Sequence, residues 1–258
     1  MKKTDLKNQF ELLKQHLDRQ LDRQDPNQLY ARVKQRLQNP TLTRLLARLD
    51  RFERNPAKIN LTDRLDLLLL LLYAPGRTNR FAEPLLGMTR ITKLLFLALT
   101  ELNLKKLTRT SYRFVPYKLG PFAPELYDDL EVLMQAELIR AATVDPSGMP
   151  IIRTDARTIR LLTELNTGIT TAERLDSAQL LLSLTPRGKK FARLLFQKAQ
   201  RKQKNLAPGL KIIKARFGSL PLTQLLRYVY QHYPEYTTRS EIIKKLFPPK
   251  TPTKQADF

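Results

Sequence analysis

The stretch from Gly87 to Ile139, GMTRITKLLFLALTELNLKKLTRTSYRFVPYKLGPFAPELYDDLEVLMQAELI, constrains the fold of this chain more than any other. Ile91, Leu94, Leu95, Phe96, Leu97 and Leu99 leave a helix over about 90–102 almost no polar surface, so that helix belongs inside the molecule. Thr89 stands where a cap is expected, and Arg90 and Lys93 share a face near its start. Tyr112–Pro116 alternates aromatic and polar residues as a short strand does. Gly120-Pro121 then turns the chain, and Phe122 is expected to open a helix through about Gln135 with Phe122, Leu126, Leu130 and Leu133 as its buried stripe.

The flanking segments add helices. Leu6, Phe10, Leu13, Leu17 and Leu21 recur at helical spacing over 4–23, and Asp25-Pro26 ends that helix. Further helices are expected at about 27–38 and 42–54. Asn60-Leu61-Thr62-Asp63 offers caps for a helix over about 63–74, whose run Leu67–Leu72 is apolar on every side and must be buried on several faces.

C-terminal to the central stretch, Leu138–Thr143, a turn at Asp145-Pro146-Ser147-Gly148 and Pro150–Thr154 read as a hairpin. Residues 155–178 are polar, with a capping box at Thr170-Thr171-Ala172-Glu173. Leu180–Leu184 reads as a strand. Thr185-Pro186 starts a helix to about Lys204, and Ala207-Pro208-Gly209 is expected to break the chain before a short helix over 210–217. A helix over Leu222–Tyr233 follows. A last one over about 239–246 is expected to be capped by Thr238-Arg239-Ser240-Glu241. The expected fold is mostly α with a small β wing: a winged-helix-like core over 59–204, an N-terminal helical extension over 1–58, C-terminal helices over 205–247 and a disordered tail over 248–258.

Charge narrows the class of partner. Lys and Arg number 46 against 24 Asp and Glu, a formal net charge of +22, far more than solubility needs and suited to a polyanion. Residues 1–60 carry 14 basic and 7 acidic groups, residues 61–150 carry 11 and 10, and residues 151–258 carry 21 and 7. The excess therefore lies at the ends. Its densest part holds eleven cations: Arg187, Lys189, Lys190, Arg193, Lys198, Arg201, Lys202, Lys204, Lys211, Lys214 and Arg216. No Asp or Glu occurs between Asp176 and Glu235. With Phe191, Leu194 and Leu195 turned inward, Lys190, Arg193, Arg201 and Lys204 form one outward stripe, a spacing that can follow a phosphate backbone. A solvated surface helix is normally of mixed charge. These eleven residues are the expected nucleic-acid contacts, with double-stranded DNA placed ahead of RNA.

The helix over 122–135, by contrast, carries Glu125, Asp128, Asp129 and Glu131, which would repel phosphate, so it is not expected to enter a DNA groove. These four acids are the expected contacts to a protein partner, or the helix is packed inside. Tyr117 and Tyr127 are assigned to the core, and Tyr228, Tyr230, His232, Tyr233 and Tyr236 to packing. Arg90, Lys93, Arg113 and Lys118 are candidates to extend the basic surface.

No catalytic set is legible. The chain has two histidines, His16 and His232, no cysteine and no Gly-rich phosphate loop. Asp128 and Asp129 diverge by about 100° on a helix, a poor metal clamp. No cofactor or metal site is expected. The beginning MKKTDLKNQF is followed by no apolar run, and the basic helix has only a narrow apolar face. A cytoplasmic protein without membrane attachment is expected, with a homodimer as a further expectation.

The segments Gly87-Met88-Thr89-Arg90-Ile91-Thr92-Lys93-Leu94-Leu95-Phe96-Leu97, Phe114–Tyr117, Leu119-Gly120-Pro121-Phe122, Leu126-Tyr127-Asp128-Asp129-Leu130 and Leu184-Thr185-Pro186-Arg187-Gly188 together resemble a broad group of prokaryotic proteins related to the Panacea antitoxin domain. The resemblance spans about 87–188 and implies a compact, mostly helical, winged-helix-like domain. It also implies a regulatory, phage-defence or antitoxin role, in the last case by direct contact with a partner protein. It brings no catalytic residues.

Overall fold

The structure, a computed structural model, describes residues 39–144, 150–154 and 179–248. The helices expected at 4–23 and 27–38, the turn at 145–148, the capping box in 155–178 and the tail from 249 on lie outside the described residues. The chain divides into two compact units, Met1–Arg48 and Leu49–Phe258. Of the first, residues 39–48 are described; they begin helix α1 (Pro40–Arg54). This helix starts two residues earlier than its sequence suggests. Asn39 Oδ1 accepts from the backbone N–H of Thr41 and Leu42 at 3.0 and 3.2 Å, and Pro40 needs no partner in the first turn.

Within the second unit, α2 (Arg64–Tyr73) is the innermost element. Asp63 and Asp66 close a reciprocal capping box at its start. Leu67–Leu72 are all within 1% of complete burial, as a helix without a polar face requires. Each such leucine contributes about 2 kcal/mol of transfer free energy. Helix α3 (Met88–Glu101) packs on α2 and buries Ile91, Leu94, Leu95 and Phe96. Its first residue is Met88 and its N-cap is Gly87 at φ 85°, not Thr89. The reason is tertiary: strand β1 (Leu85–Leu86) delivers the chain to the helix, and the Gly87 N–H donates to Leu180 O at 2.9 Å.

Strands β2 (Val115–Tyr117) and β3 (Gly120–Phe122) form a two-stranded antiparallel hairpin with Tyr117 opposite Gly120. Phe122 therefore ends a strand instead of opening a helix, and α4 runs from Glu125 to Gln135 after Pro124. Four strands make the other sheet, ordered β1, β6, β4, β5, all antiparallel where paired: β4 is Ile139–Val144, β5 Pro150–Thr154 and β6 Gln179–Leu184. The hairpin of β4 and β5 forms as expected, but the strand between β1 and β4 is β6, in register from Ile139↔Leu184 to Val144↔Gln179.

Helix α5 (Pro186–Lys202) begins where Thr185-Pro186 predicts: the Thr185 hydroxyl accepts from Gly188 N–H at 2.9 Å. The start of this helix is riveted to the turn before β4. Thr185 N–H donates to Leu138 O at 3.0 Å and Arg187 donates to Ala136 O at 3.2 Å. Gly188 passes so close that a Cβ there would sit 1.8 Å from Leu138 O. Beyond Gln203, helix α6 (Leu206–Ile212) contains Ala207-Pro208-Gly209, which the sequence suggested as a break. Pro208 falls in the first helical turn, where a missing N–H costs nothing. A π turn, Ile213–Phe217, continues α6. Helix α7 (Leu222–His232) follows, and α8 is only Ile243–Leu246. The Thr238–Glu241 capping box does not form: the Glu241 carboxylate pairs with Lys118 at 3.1 Å and its N–H donates to Lys118 O at 3.0 Å, so the helix begins only at Ile243. The protein is thus mostly helical with a small antiparallel sheet.

Candidate nucleic-acid interface

Helix α5 turns Phe191, Ala192, Leu195, Phe196 and Ala199 into the core, and its aromatic anchors fix its rotation. Phe191 meets Phe52 edge-on at 5.0 Å between ring centroids, and Phe196 lies 5.5 Å from Tyr73 on α2. The opposite face consequently exposes Lys189, Lys190, Arg193, Gln197 and Arg201, with Lys202 exposed at the helix end, Lys204 exposed just beyond it and Lys198 half-buried. The stripe Lys190, Arg193, Arg201 and Lys204 lies on the surface as the spacing predicts. Among the described residues, Arg187 is the one member of this group with an acidic partner, Glu53 at 2.7 Å. The other cations of α5 are exposed, apart from the half-buried Lys198, and have no acidic partner among the described residues.

Of the three cations beyond Asn205, Lys211 and Arg216 are exposed, the latter with its guanidinium 5.2 Å from the centroid of Phe217. Lys214 is not a surface residue, contrary to its assignment as a nucleic-acid contact. It is 3% exposed, and its Nζ donates to Leu72 O at 2.8 Å and Ala74 O at 2.9 Å. It satisfies orphan carbonyls at the C-terminal end of α2, where a cation is also favoured by the helix dipole. Burial pulls its pKa down to about 7, partly opposed by the charge of Glu83. The π turn is where α6 delivers this side chain inward.

Lys93 repeats the device and so leaves the candidate basic surface. It is 2% exposed, donates to Pro121 O at 2.7 Å and is pulled by burial to about 7. Arg90 is likewise turned inward, donating to Gly218 O at 3.1 Å and to Leu220 O. Lys118 pairs with Glu241 at 3.1 Å, and Arg113 remains exposed.

The acids of α4 are largely committed within the chain. Asp129 is 1% exposed, contrary to its assignment as a partner contact, and Arg64 grips it with two bonds, Nε at 2.6 Å and Nη2 at 3.0 Å. Burial raises the carboxyl of Asp129, and the Arg64 guanidinium opposes that rise. Glu125 accepts from Arg113 N–H at 2.9 Å and Glu131 from Gln135 Nε2 at 3.0 Å. Glu125 and Glu131 are half-buried and Asp128 is exposed. Tyr117, assigned to the core, is 39% exposed and stacked on Phe122. Tyr127 is half-buried. The C-terminal aromatics pack as expected: Tyr233 and Tyr236 meet Phe96 edge-on at 4.9 and 4.8 Å, and Tyr230 is buried.

Sequence reasoning passed over the segment that borders α5. From sequence, residues 76–86 read only as a loop with Arg77, Arg80 and Pro84. In the structure this loop is drawn tight around one carboxylate: Glu83 accepts from Thr78 N–H at 2.9 Å, from the Thr78 hydroxyl and from Arg80 N–H at 3.2 Å. Ala82 N–H donates to Tyr73 O at 2.8 Å. Asn79 and Ala82 adopt left-handed φ of 62° and 59°, at a cost of about 1 kcal/mol for the alanine. The loop holds Phe81 stacked on Tyr73 at 5.1 Å and edge-on to Phe196 at 5.8 Å, yet leaves it 52% exposed. Arg77 and Arg80 are exposed beside it. Arg193, one turn before Phe196, is near enough to the Tyr73 hydroxyl for its charge to oppose the rise in pKa that burial causes. An aromatic ring directly after two arginines in RTNRF was the available sequence signal.

Among the described residues no group of three or more His, Asp or Glu side chains could hold a metal ion, and no helix is long and apolar enough to cross a membrane. No family model, no curated protein and no solved structure matches this chain.

Proposed function

We propose that this is a non-enzymatic nucleic-acid-binding protein that holds double-stranded DNA by its phosphate backbone along the exposed face of α5. The observation that carries the reading is that face itself: Lys189, Lys190, Arg193, Arg201 and Lys202 exposed on one rigid helix, with no acidic partner among the described residues and none in the sequence from Ser177 to Pro234. Such a row releases counterions from a polyphosphate and positions the protein without reading bases. Lys204, Lys211, Arg216 and the half-buried Lys198 complete the surface, while Arg187 contributes less because Glu53 neutralises it.

The architecture we infer for this unit is winged-helix-like. Support comes from the order α3, α4, β4 and from a returning strand, β6, paired to both β4 and β1. In this arrangement α4 is a structural helix, and the DNA-contacting role of a recognition helix passes to α5. A cytoplasmic, regulatory or defence-associated role is the one this class of binding fits. It also accords with the resemblance to Panacea-related proteins.

Fluorescence anisotropy with a duplex of about 30 base pairs, titrated across salt concentrations, tests the reading. Engagement of roughly five phosphates gives a log–log slope near −4.5. A flat slope, or no binding at low salt, overturns it.

A further inference from the structure

Phe81 is an exposed ring that the chain goes to some length to hold still. Its loop is cinched by three hydrogen bonds to Glu83 and by the Ala82–Tyr73 backbone bond, and two non-glycine residues sit in left-handed conformations to complete it. One face of the ring is covered by Tyr73, and Phe196 supports it from α5. About half of its surface remains open. Its surroundings are cationic: Arg77 and Arg80 precede it in the loop, both exposed, and Arg193 lies by Tyr73. The one acid of the loop, Glu83, is consumed by the loop's own N–H groups.

The other aromatic surfaces are built differently. Tyr228 and Tyr233 both donate to Glu101, with Glu235 close by, and Tyr117 adjoins the Lys118–Glu241 pair. Among the described residues, Phe247, 37% exposed beside Lys244 and Lys245, lacks the stacked aromatic backing and the cinched loop that hold Phe81. An aromatic shelf bordered by arginines is the chemistry that takes an unpaired nucleobase, because every base offers a π face and its phosphate needs a cation.

We propose that Phe81 is a stacking shelf for an unpaired base, so that the preferred ligand is a DNA duplex lying on α5 with a single-stranded overhang reaching the 76–83 loop. This rests on the nucleic-acid reading of α5 and adds to it a preference between DNA forms. Paired bases are stacked inside the helix and cannot reach the ring, whereas an overhang base can.

The test uses the full chain and two probes with equal numbers of phosphates, one a blunt duplex and one a shorter duplex with an overhang of several nucleotides. The overhang probe binds the wild type about tenfold more tightly, within the range expected for one stacked base. Phe81→Ala abolishes that difference while blunt-duplex affinity is unchanged, which also reports that the variant is folded. Phe81→Trp retains the preference. Equal affinities for the two probes in the wild type, or a preference that survives Phe81→Ala, overturns the shelf while leaving the duplex reading intact. Absence of binding to either probe at low salt overturns both.

Discussion

Helices α4 and α5 are each amphipathic, each bury one stripe against the core, and each carry side-chain charge of a single sign on the described remainder, yet they use that charge in opposite ways. On α4 the charge turns inward or is answered locally: Asp129 is clasped by Arg64, Glu125 by the Arg113 backbone and Glu131 by Gln135. On α5, among the described residues, only Arg187 is answered, by Glu53. A row of single-sign charge is thus no guide to function until its partners are known. Where internal partners exist, the charge stabilises the fold; where they are missing, it is available to a ligand of opposite sign.

The largest effect should come from reversing the open row. Replacing Arg193, Arg201 and Lys204 together by Glu should weaken duplex binding by roughly three orders of magnitude at low salt, irrespective of DNA sequence, since three phosphate contacts become repulsions. The matched change on α4, Asp128→Asn with Glu131→Gln, should leave affinity within about twofold. A comparable loss from the α4 pair, measured by anisotropy, would erase the distinction between the helices.

Next in size is the anchor that sets the position of α5. Gly188→Ala places a methyl group against Leu138 O, a backbone atom that cannot swing aside. Chemical denaturation should register a loss of about 3 kcal/mol. Asp129→Asn sharpens the other side of the comparison. It leaves Arg64 without its charge partner, and since the Arg64 side chain is one-third exposed, the loss should be about 2 kcal/mol instead of the larger figure for a sealed pair.

The effect spread over the widest range of conditions is one of pH. Lys93 and Lys214 titrate near 7 in the folded protein against 10.5 for a free lysine. Between those values the unfolded chain binds more protons than the folded one. Stability should therefore rise from pH 7 towards 9.5, by no more than about 1.4 kcal/mol per pH unit for each lysine. Above about pH 10.5, where the unfolded lysines have also lost their protons, the trend should reverse, because Tyr230, pushed up to about 12 by burial, keeps a proton that the unfolded chain loses. Lys214→Met should remove its share of the rise in denaturation midpoints taken across this range.

What the sequence discloses about this molecule is local. The Leu67–Leu72 run announces a sealed helix, Thr185-Pro186 starts α5 at the right residue, and the stripe of α5 follows from helical spacing alone. What it conceals depends on partners distant along the chain. Arg64 and Asp129 are 65 residues apart, and Lys214 reaches carbonyls 142 and 140 residues away, so a count of charges puts all three on the surface. The same holds for Gly87, whose capping role follows from Leu180 far downstream, and for Phe81, whose importance lies in a loop folded around Glu83. The switch of Phe122 from helix to strand arises because Val115 lies opposite it.

The central claim is that the phosphates are held by α5 and not by the structure as a whole. The most direct measurement is the salt dependence of duplex affinity for three proteins: the wild type, the triple charge reversal on α5 and the Asp128→Asn, Glu131→Gln pair on α4. The account predicts a log–log slope that shrinks by about 2.7 in the α5 variant, three contacts at roughly 0.9 each, and is unaltered in the α4 variant. Equal slopes in all three proteins would contradict it.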